Sequence, residues 1–93
     1  MNIKHENNRF VIKKENDEVI AQLSYSFEND TVLIANSTFV DPVLRGQGVA
    51  RKLLDAFAEF ARNNNYKVRP LCSYVVDKFN NESTYDDLKL DAD

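Results

Sequence analysis

The chain has 93 residues, 43% of them hydrophobic, with six Phe and four Tyr, which is enough for one domain with a modest core that folds without staples. Its charged residues are mixed in sign and sum to −3, so no overall basic field exists for nucleic acid or an anionic membrane. No apolar run approaches the roughly 20 residues of a membrane span. Met1-Asn2-Ile3-Lys4 opens no signal-peptide core, and one cysteine with one histidine excludes an internal disulfide and disfavours a zinc site, so a soluble, cytoplasmic protein without a metal is expected.

Residues 1–8 are polar and read as loose. Arg9 to Lys14 is a short β-rich run closed by the turn-like Glu15-Asn16-Asp17-Glu18. Val19, Ala21, Leu23, Tyr25 and Phe27 then alternate with Ile20, Gln22, Ser24 and Ser26, the period of a strand with one buried face. After the polar turn Glu28-Asn29-Asp30, Thr31 to Val40 is again β-rich, and such short connections predict a three-stranded antiparallel meander. From Gly48 to about Asn64, Val49, Leu53, Ala56, Phe57, Phe60 and Ala61 recur at helical spacing. Arg51 with Asp55 and Glu59 with Arg62 are placed to pair along that helix, and Asn63-Asn64-Asn65 is suited to stop it. Lys67 to Ser73 reads as a strand, with Pro70 arguing for an edge or a bulge. Ser73 is a candidate cap for a short helix through Phe79, halted by Asn80-Asn81. Ser83 to Leu90 is a candidate last strand, and Asp91-Ala92-Asp93 is expected to fray.

The informative stretch is Val40-Asp41-Pro42-Val43-Leu44-Arg45-Gly46-Gln47-Gly48-Val49-Ala50-Arg51, where a strand, a glycine turn and a helix meet. The first N–H groups of a helix have no intrahelical partners and lie at the positive end of its dipole, so this junction suits a phosphate. A Walker loop is excluded, since no Gly-Lys pair occurs. A dinucleotide fingerprint fails because Arg51 stands where its third glycine should be, and because a meander precedes the loop.

The pattern that does fit is (Gln or Arg)-x-x-Gly-x-(Gly or Ala), met by Arg45, Gly48 and Ala50, with Val40-Asp41-Pro42 before it and Leu53-Leu54 after it. On these residues the chain resembles the GNAT N-acetyltransferase superfamily, most closely its short stand-alone members, over about residues 9 to 80. The resemblance implies an α/β (α+β) fold within a single domain over 1–93: a mixed, mostly antiparallel sheet, a central amphipathic helix after the glycine loop and a short second helix. It implies acetyl-coenzyme A as cosubstrate, with its pyrophosphate on Arg45, Gly46, Gln47, Gly48, Val49, Ala50 and Arg51 and its acetyl and pantetheine near Phe39, Val40 and Asn80. The implied reaction is direct attack of a primary amine, on an unidentified protein or small molecule, at the thioester. Larger members insert two helices between the first two strands, where this chain has only Glu15 to Glu18, so the acceptor side is expected to be open.

Three side chains are candidates for chemistry. Cys72 matches a cysteine of the short members, and a thiol facing the thioester is either an acyl carrier or, like most free cysteines, a small packed side chain. Tyr74 and Tyr85 are candidate acids for the departing thiolate, against the common fate of a buried aromatic. Asn80 reads equally as a helix terminator, and each Arg equally as a solvated charge. Ser37 stands where short relatives often carry a histidine, so an imidazole base does not transfer; Glu28 acting through water is the remaining candidate. The rival readings are a non-catalytic acyl-coenzyme A binding or regulatory domain, and a protein-interaction domain using an open sheet edge. No nucleic acid or membrane partner is expected, and the state expected is a monomer or weak dimer.

Overall fold

The structure is a computed structural model that describes residues 2–90; the expected fraying of Asp91-Ala92-Asp93 lies outside the described residues. Five strands form one sheet in the order β1-β2-β3-β4-β5: β1 Lys4–Glu6, β2 Arg9–Lys13, β3 Val19–Asn29, β4 Val32–Val40 and β5 Lys67–Pro70. The first four pair antiparallel, whereas β5 joins β4 in parallel as an edge strand, the position that Pro70 tolerates. Helix α1 (Val49–Asn63) packs on one face of the sheet, α2 (Ser73–Asn81) follows β5, and a 3-10 segment covers Ser83–Leu88.

Two ends of the chain depart from expectation. Residues 4–6 are not loose but form β1, turned onto β2 by Asn7 and Asn8 at φ 50° and 59°. Asparagine tolerates that left-handed conformation, and two such residues in a row make the tight turn of a hairpin. The Ser83 to Leu90 segment is not a strand: it coils into the 3-10 turns, and its backbone meets the sheet in an isolated bridge between Lys89 and Val68. Its buried residues, Tyr85 and Leu88, are three apart, as a 3-10 segment requires to face one side.

That C-terminal segment also changes what α1 buries. Leu54 and Ala58 are fully buried along with Val49, Leu53, Phe57 and Ala61, while Ala56 and Phe60 are only partly buried. The helix is therefore enclosed on two sides, by the sheet through Ala21, Leu23, Tyr25, Leu33 and Ala35, and by Val75, Phe79, Tyr85 and Leu88. The surface pairs expected along α1 do not form. Arg51 reaches Glu82 and Arg62 reaches Asp87, because a partner held in place by folding outcompetes an i,i+3 or i,i+4 contact worth only a few tenths of a kcal/mol. Asn65 at φ 59° does close the helix, with the Tyr66 N–H donating to the Ala61 carbonyl.

β1 is held to the core by His5, whose ring stacks on Phe10 at 4.1 Å, meets Phe60 at 4.5 Å and shares a 2.5 Å hydrogen bond with the Tyr25 hydroxyl. These rings shield part of the imidazole, which stays exposed on its other side, and the partial desolvation lowers its pKa below the ordinary 6.5. A lowered folded-state pKa means that the unfolded chain binds the extra proton first, so this contribution is whole above pH 6.5 and is lost as pH falls toward the folded value. Thermal melts between about pH 7.5 and 5.5 should show Tm falling with acidification, and His5→Gln should flatten that slope, since few other side chains titrate there.

Candidate functional site

The site begins where β4 and β5 part. The two strands pair from Val32 and Lys67 to Ala35 and Pro70, and the Ala35 carbonyl then accepts from both the Leu71 and Cys72 N–H groups at 3.0 Å. Immediately afterwards β4 carries a bulge: Ser24 pairs with Ser37 and Tyr25 with Ala35, leaving Asn36 unpaired. Past it, the Asp41 N–H donates to the Ile20 carbonyl at 2.8 Å, on the β3 side. Alternation along an antiparallel strand therefore turns the backbone groups of Val40 and Thr38 outward, to the edge that β5 has left. The result is a fork with unpaired backbone on one arm.

The glycine loop lies at the wide end of the fork. Asp41 accepts the Val43 N–H at 2.9 Å and starts a 3-10 turn over Pro42–Leu44, so the Asp41-Pro42 pair redirects the chain out of the strand. Gly46 and Gly48 follow at φ 82° and 70°, a conformation that glycine adopts without strain. A Cβ built at either would meet nothing within 4 Å, so the backbone there faces open space. Gly48 caps α1 and offers no side chain to its first turn. Among the described residues, the N–H groups from Gly46 to Arg51 find no acceptor within the chain; the first helical bond runs from Lys52 N–H to the Gly48 carbonyl.

These donors open onto a cleft of about 250 Å³ lined by Val40, Leu44, Arg45, Gly46, Gly48, Val49, Ala50, Arg51 and Tyr74. A cavity of about 290 Å³ at the other end of α1 is slightly larger, but its donors are engaged, Arg62 on the Asp87 carboxylate and Lys67 on the Asp87 backbone carbonyl. Size does not mark the site; free donors do.

A family model described as GCN5-related N-acetyl-transferase matches residues 9–88, nearly the whole of this architecture. The chain belongs to the GCN5-related N-acetyltransferase family. A GCN5-like protein from Staphylococcus aureus, solved in solution by NMR, is 34% identical over 99% of this chain and 90% of its own length, with a TM-score of 0.82. Nourseothricin acetyltransferase is 25% identical over 67% of this chain and 38% of its own, with a TM-score of 0.54. An aminoglycoside N-acetyltransferase solved in complex with CoA shares the fold at 18% identity, covering 90% of this chain and 67% of its own, with a TM-score of 0.50. No curated protein matched the chain. The GCN5-related fold is one of acyl transfer from acyl-CoA, and among the described residues no helix is long and apolar enough to cross a membrane.

The candidate residues divide. Val40, Arg45, Gly46, Gly48, Val49, Ala50, Arg51 and Tyr74 share the cleft. Gln47 turns its amide back toward the Val43 carbonyl at 3.5 Å, leaving its backbone for the loop. Phe39 pairs with Gln22 on the opposite face of the sheet and is 47% exposed there. Cys72 sits at the narrow end of the fork, its Sγ 3.2 Å from the Thr38 hydroxyl. It also occupies the cap position of α2 that Ser73 was expected to take, because the chain stays extended through residue 72. Asn80 lines a separate hollow with Val68, Arg69, Pro70, Phe79, Lys89 and Leu90, away from the loop. Glu28 is occupied by Arg69 at the hairpin end of the sheet, and that guanidinium holds its carboxyl below the usual range.

Tyr85 does not join the cleft. Its ring is fully buried and stacked on Phe79, and its hydroxyl donates to Asp55 at 2.7 Å while accepting from Arg51 at 2.9 Å. Burial and the bond to Asp55 push its pKa up to about 12, so the phenol keeps its proton. Tyr74 is also held protonated by burial, but its ring faces the loop. Sequence reading missed Asn36, Thr38 and Glu82. The signal for the first two was present, since the inward positions Leu33 and Ala35 change phase to Thr38 and Val40, and a phase break in a strand marks a bulge. Tyr85→Phe should cost about 1–3 kcal/mol of stability in a denaturant titration, because Asp55 and Arg51 lose a partner, and should change kcat less than about twofold.

Proposed function

We propose that this protein transfers an acetyl group from acetyl-coenzyme A to a primary amine. The observation that carries the reading is the run of N–H groups from Gly46 to Arg51, unpaired within the chain and opening on a cleft that leads to the fork. A diphosphate matches this row of donors in charge and in geometry, with the α1 dipole adding to it. Arg45 is exposed and has no carboxylate within ion-pair distance among the described residues, so its charge is available to the same phosphates.

Along the fork, the outward backbone of Val40 and Thr38 offers a pantetheine amide the hydrogen bonds that β5 has ceased to make. When bound, acetyl-coenzyme A supplies an activated carbonyl carbon. The amine's lone pair forms the new C–N bond there, the Val40 N–H stabilises the charge that collects on the carbonyl oxygen, and the C–S bond breaks. Tyr74, protonated at neutral pH, donates to the departing thiolate, while the proton shed by the amine passes to water. Cys72 is read as lining the site: the side chain its sulfur hydrogen-bonds, the Thr38 hydroxyl, is no base at neutral pH.

A second reading, a domain that binds acyl-coenzyme A without turnover, is favoured by Ser37, which bonds Ser24 at 2.7 Å and offers no imidazole, and by the short 14–18 connection that carries no acceptor helices. Release of free thiol from acetyl-coenzyme A in the presence of a panel of amines separates the two. Thiol release that depends on the amine supports transfer, and binding without release supports the second reading. Calorimetric titration should give micromolar or tighter affinity for coenzyme A in the parent protein. Gly48→Asp should weaken it by at least about tenfold in protein that a thermal melt shows folded, because it places a carboxylate among the phosphates; its Cβ meets no atom within 4 Å, and the positive φ costs about 1–2 kcal/mol. Cys72→Ala should leave turnover within about threefold, and a loss of 100-fold or more would instead assign it as a carrier.

A further inference from the structure

Arg51 stands in the glycine-loop motif, three residues past Gly48, where a cation would be expected to meet the ligand. Its hydrogen bonds all run the other way. Nη1 and Nη2 grip the two oxygens of Glu82 at 2.5 and 2.6 Å, and Nη1 also donates to the Tyr85 hydroxyl at 2.9 Å. The Tyr85 hydroxyl is in turn fixed by Asp55, one turn further along α1, so the guanidinium cannot rotate without breaking a closed set of bonds. Glu82 is itself well placed to couple elements, since it is the extended residue between α2 and the 3-10 segment. Its second oxygen lies 3.6 Å from Lys78 Nζ, and that ammonium stands 5.4 Å over the ring of Tyr74. One carboxylate thus links the loop wall of the cleft, through Arg51, to the α2 wall, through Lys78 and Tyr74.

We propose that Glu82 is a positioning residue that sets the width of the coenzyme cleft, holding Arg51 as a strut between the two walls and not as a phosphate ligand. This rests on the coenzyme A reading above and goes beyond it by dividing the two loop arginines. Arg45 meets the phosphates, and Arg51 has its charge neutralised in advance and instead fixes the distance from Gly46–Ala50 to Tyr74. The opposite arrangement, in which Glu82 merely restrains a ligating Arg51, predicts an effect of opposite sign: neutralising Glu82 would free the guanidinium and tighten binding.

The experiment is a double-mutant cycle on the full chain, with Glu82→Gln, Arg51→Gln and the double variant. Coenzyme A affinity is read by calorimetry at a temperature where thermal melts show each variant folded, and kcat at saturating acetyl-coenzyme A. Each single substitution should weaken affinity by about five- to tenfold and lower kcat by about two- to fivefold, since the wall it releases carries Tyr74, and the double variant should be no worse than either single in both, because all three remove the same contact. Glu82→Asp, which keeps the charge on a shorter stem, should fall between Glu82→Gln and the parent protein. Unchanged or tighter binding by Glu82→Gln overturns the proposal, as does a double variant whose loss is the product of the two singles. So does a fall in melting temperature with no change in affinity, the signature of a purely stabilising ion pair. Failure of the parent protein to bind coenzyme A would remove the coenzyme reading and the strut with it, an outcome distinct from tight parent binding that the variants leave unaltered.

Discussion

A backbone N–H that gives up water must find another acceptor, and folded chains satisfy nearly all of theirs internally. From Gly46 to Arg51, among the described residues, an unbroken row of N–H groups finds no such acceptor. Each local feature around it works to keep those donors free: Asp41-Pro42 throws the chain out of β4, two glycines at positive φ leave no Cβ over the backbone, and Gly48 starts a helix without capping it. An ordinary helix start would place Ser, Thr, Asp or Asn at that cap, at a gain over glycine of a few tenths of a kcal/mol. The glycine forgoes that stability, and what it leaves is a set of donors with no partner in the chain.

The second constraint is the parting of β4 and β5. A parallel edge strand is needed to end the sheet, yet it pairs only as far as Ala35, whose carbonyl takes two donors at the fork. The bulge at Asn36 bends β4 at the same level and reverses which residues face outward, so that Thr38 and Val40, and not Ser37 and Phe39, present backbone to the gap. Thr38 and Val40 also share the core face of the sheet with Leu23 and Ala21, which explains why Cys72 meets Thr38 and why Phe39 lies on the other side.

Much of this was legible in residue order. The alternation from Val19 to Phe27, the helical spacing after Gly48 and the Asn63-Asn64-Asn65 stop all name their elements, because each depends on contacts within a few residues. The Asn7-Asn8 turn was readable in principle, but β1 has three residues and too little periodicity to announce itself. Tyr85 was misplaced, and the partners of Arg51 went unseen, for a different reason. A Tyr in a polar tail and an Arg in a loop motif look accessible, and only the folding of the 83–88 segment onto α1 buries the first and engages the second.

By itself, then, the order of amino acids determined the strand–glycine–helix joint and the family it belongs to, since backbone conformation at Gly46 and Gly48 and the start of α1 are local properties of those residues. Tertiary structure alone decided which side chains surround that joint. Tyr74 reaches the cleft, Tyr85 enters the core, Asn80 goes to a separate hollow and Glu82 closes on Arg51, because these depend on how α2 and the C-terminal turns dock, a matter of long-range packing that no short window of sequence contains.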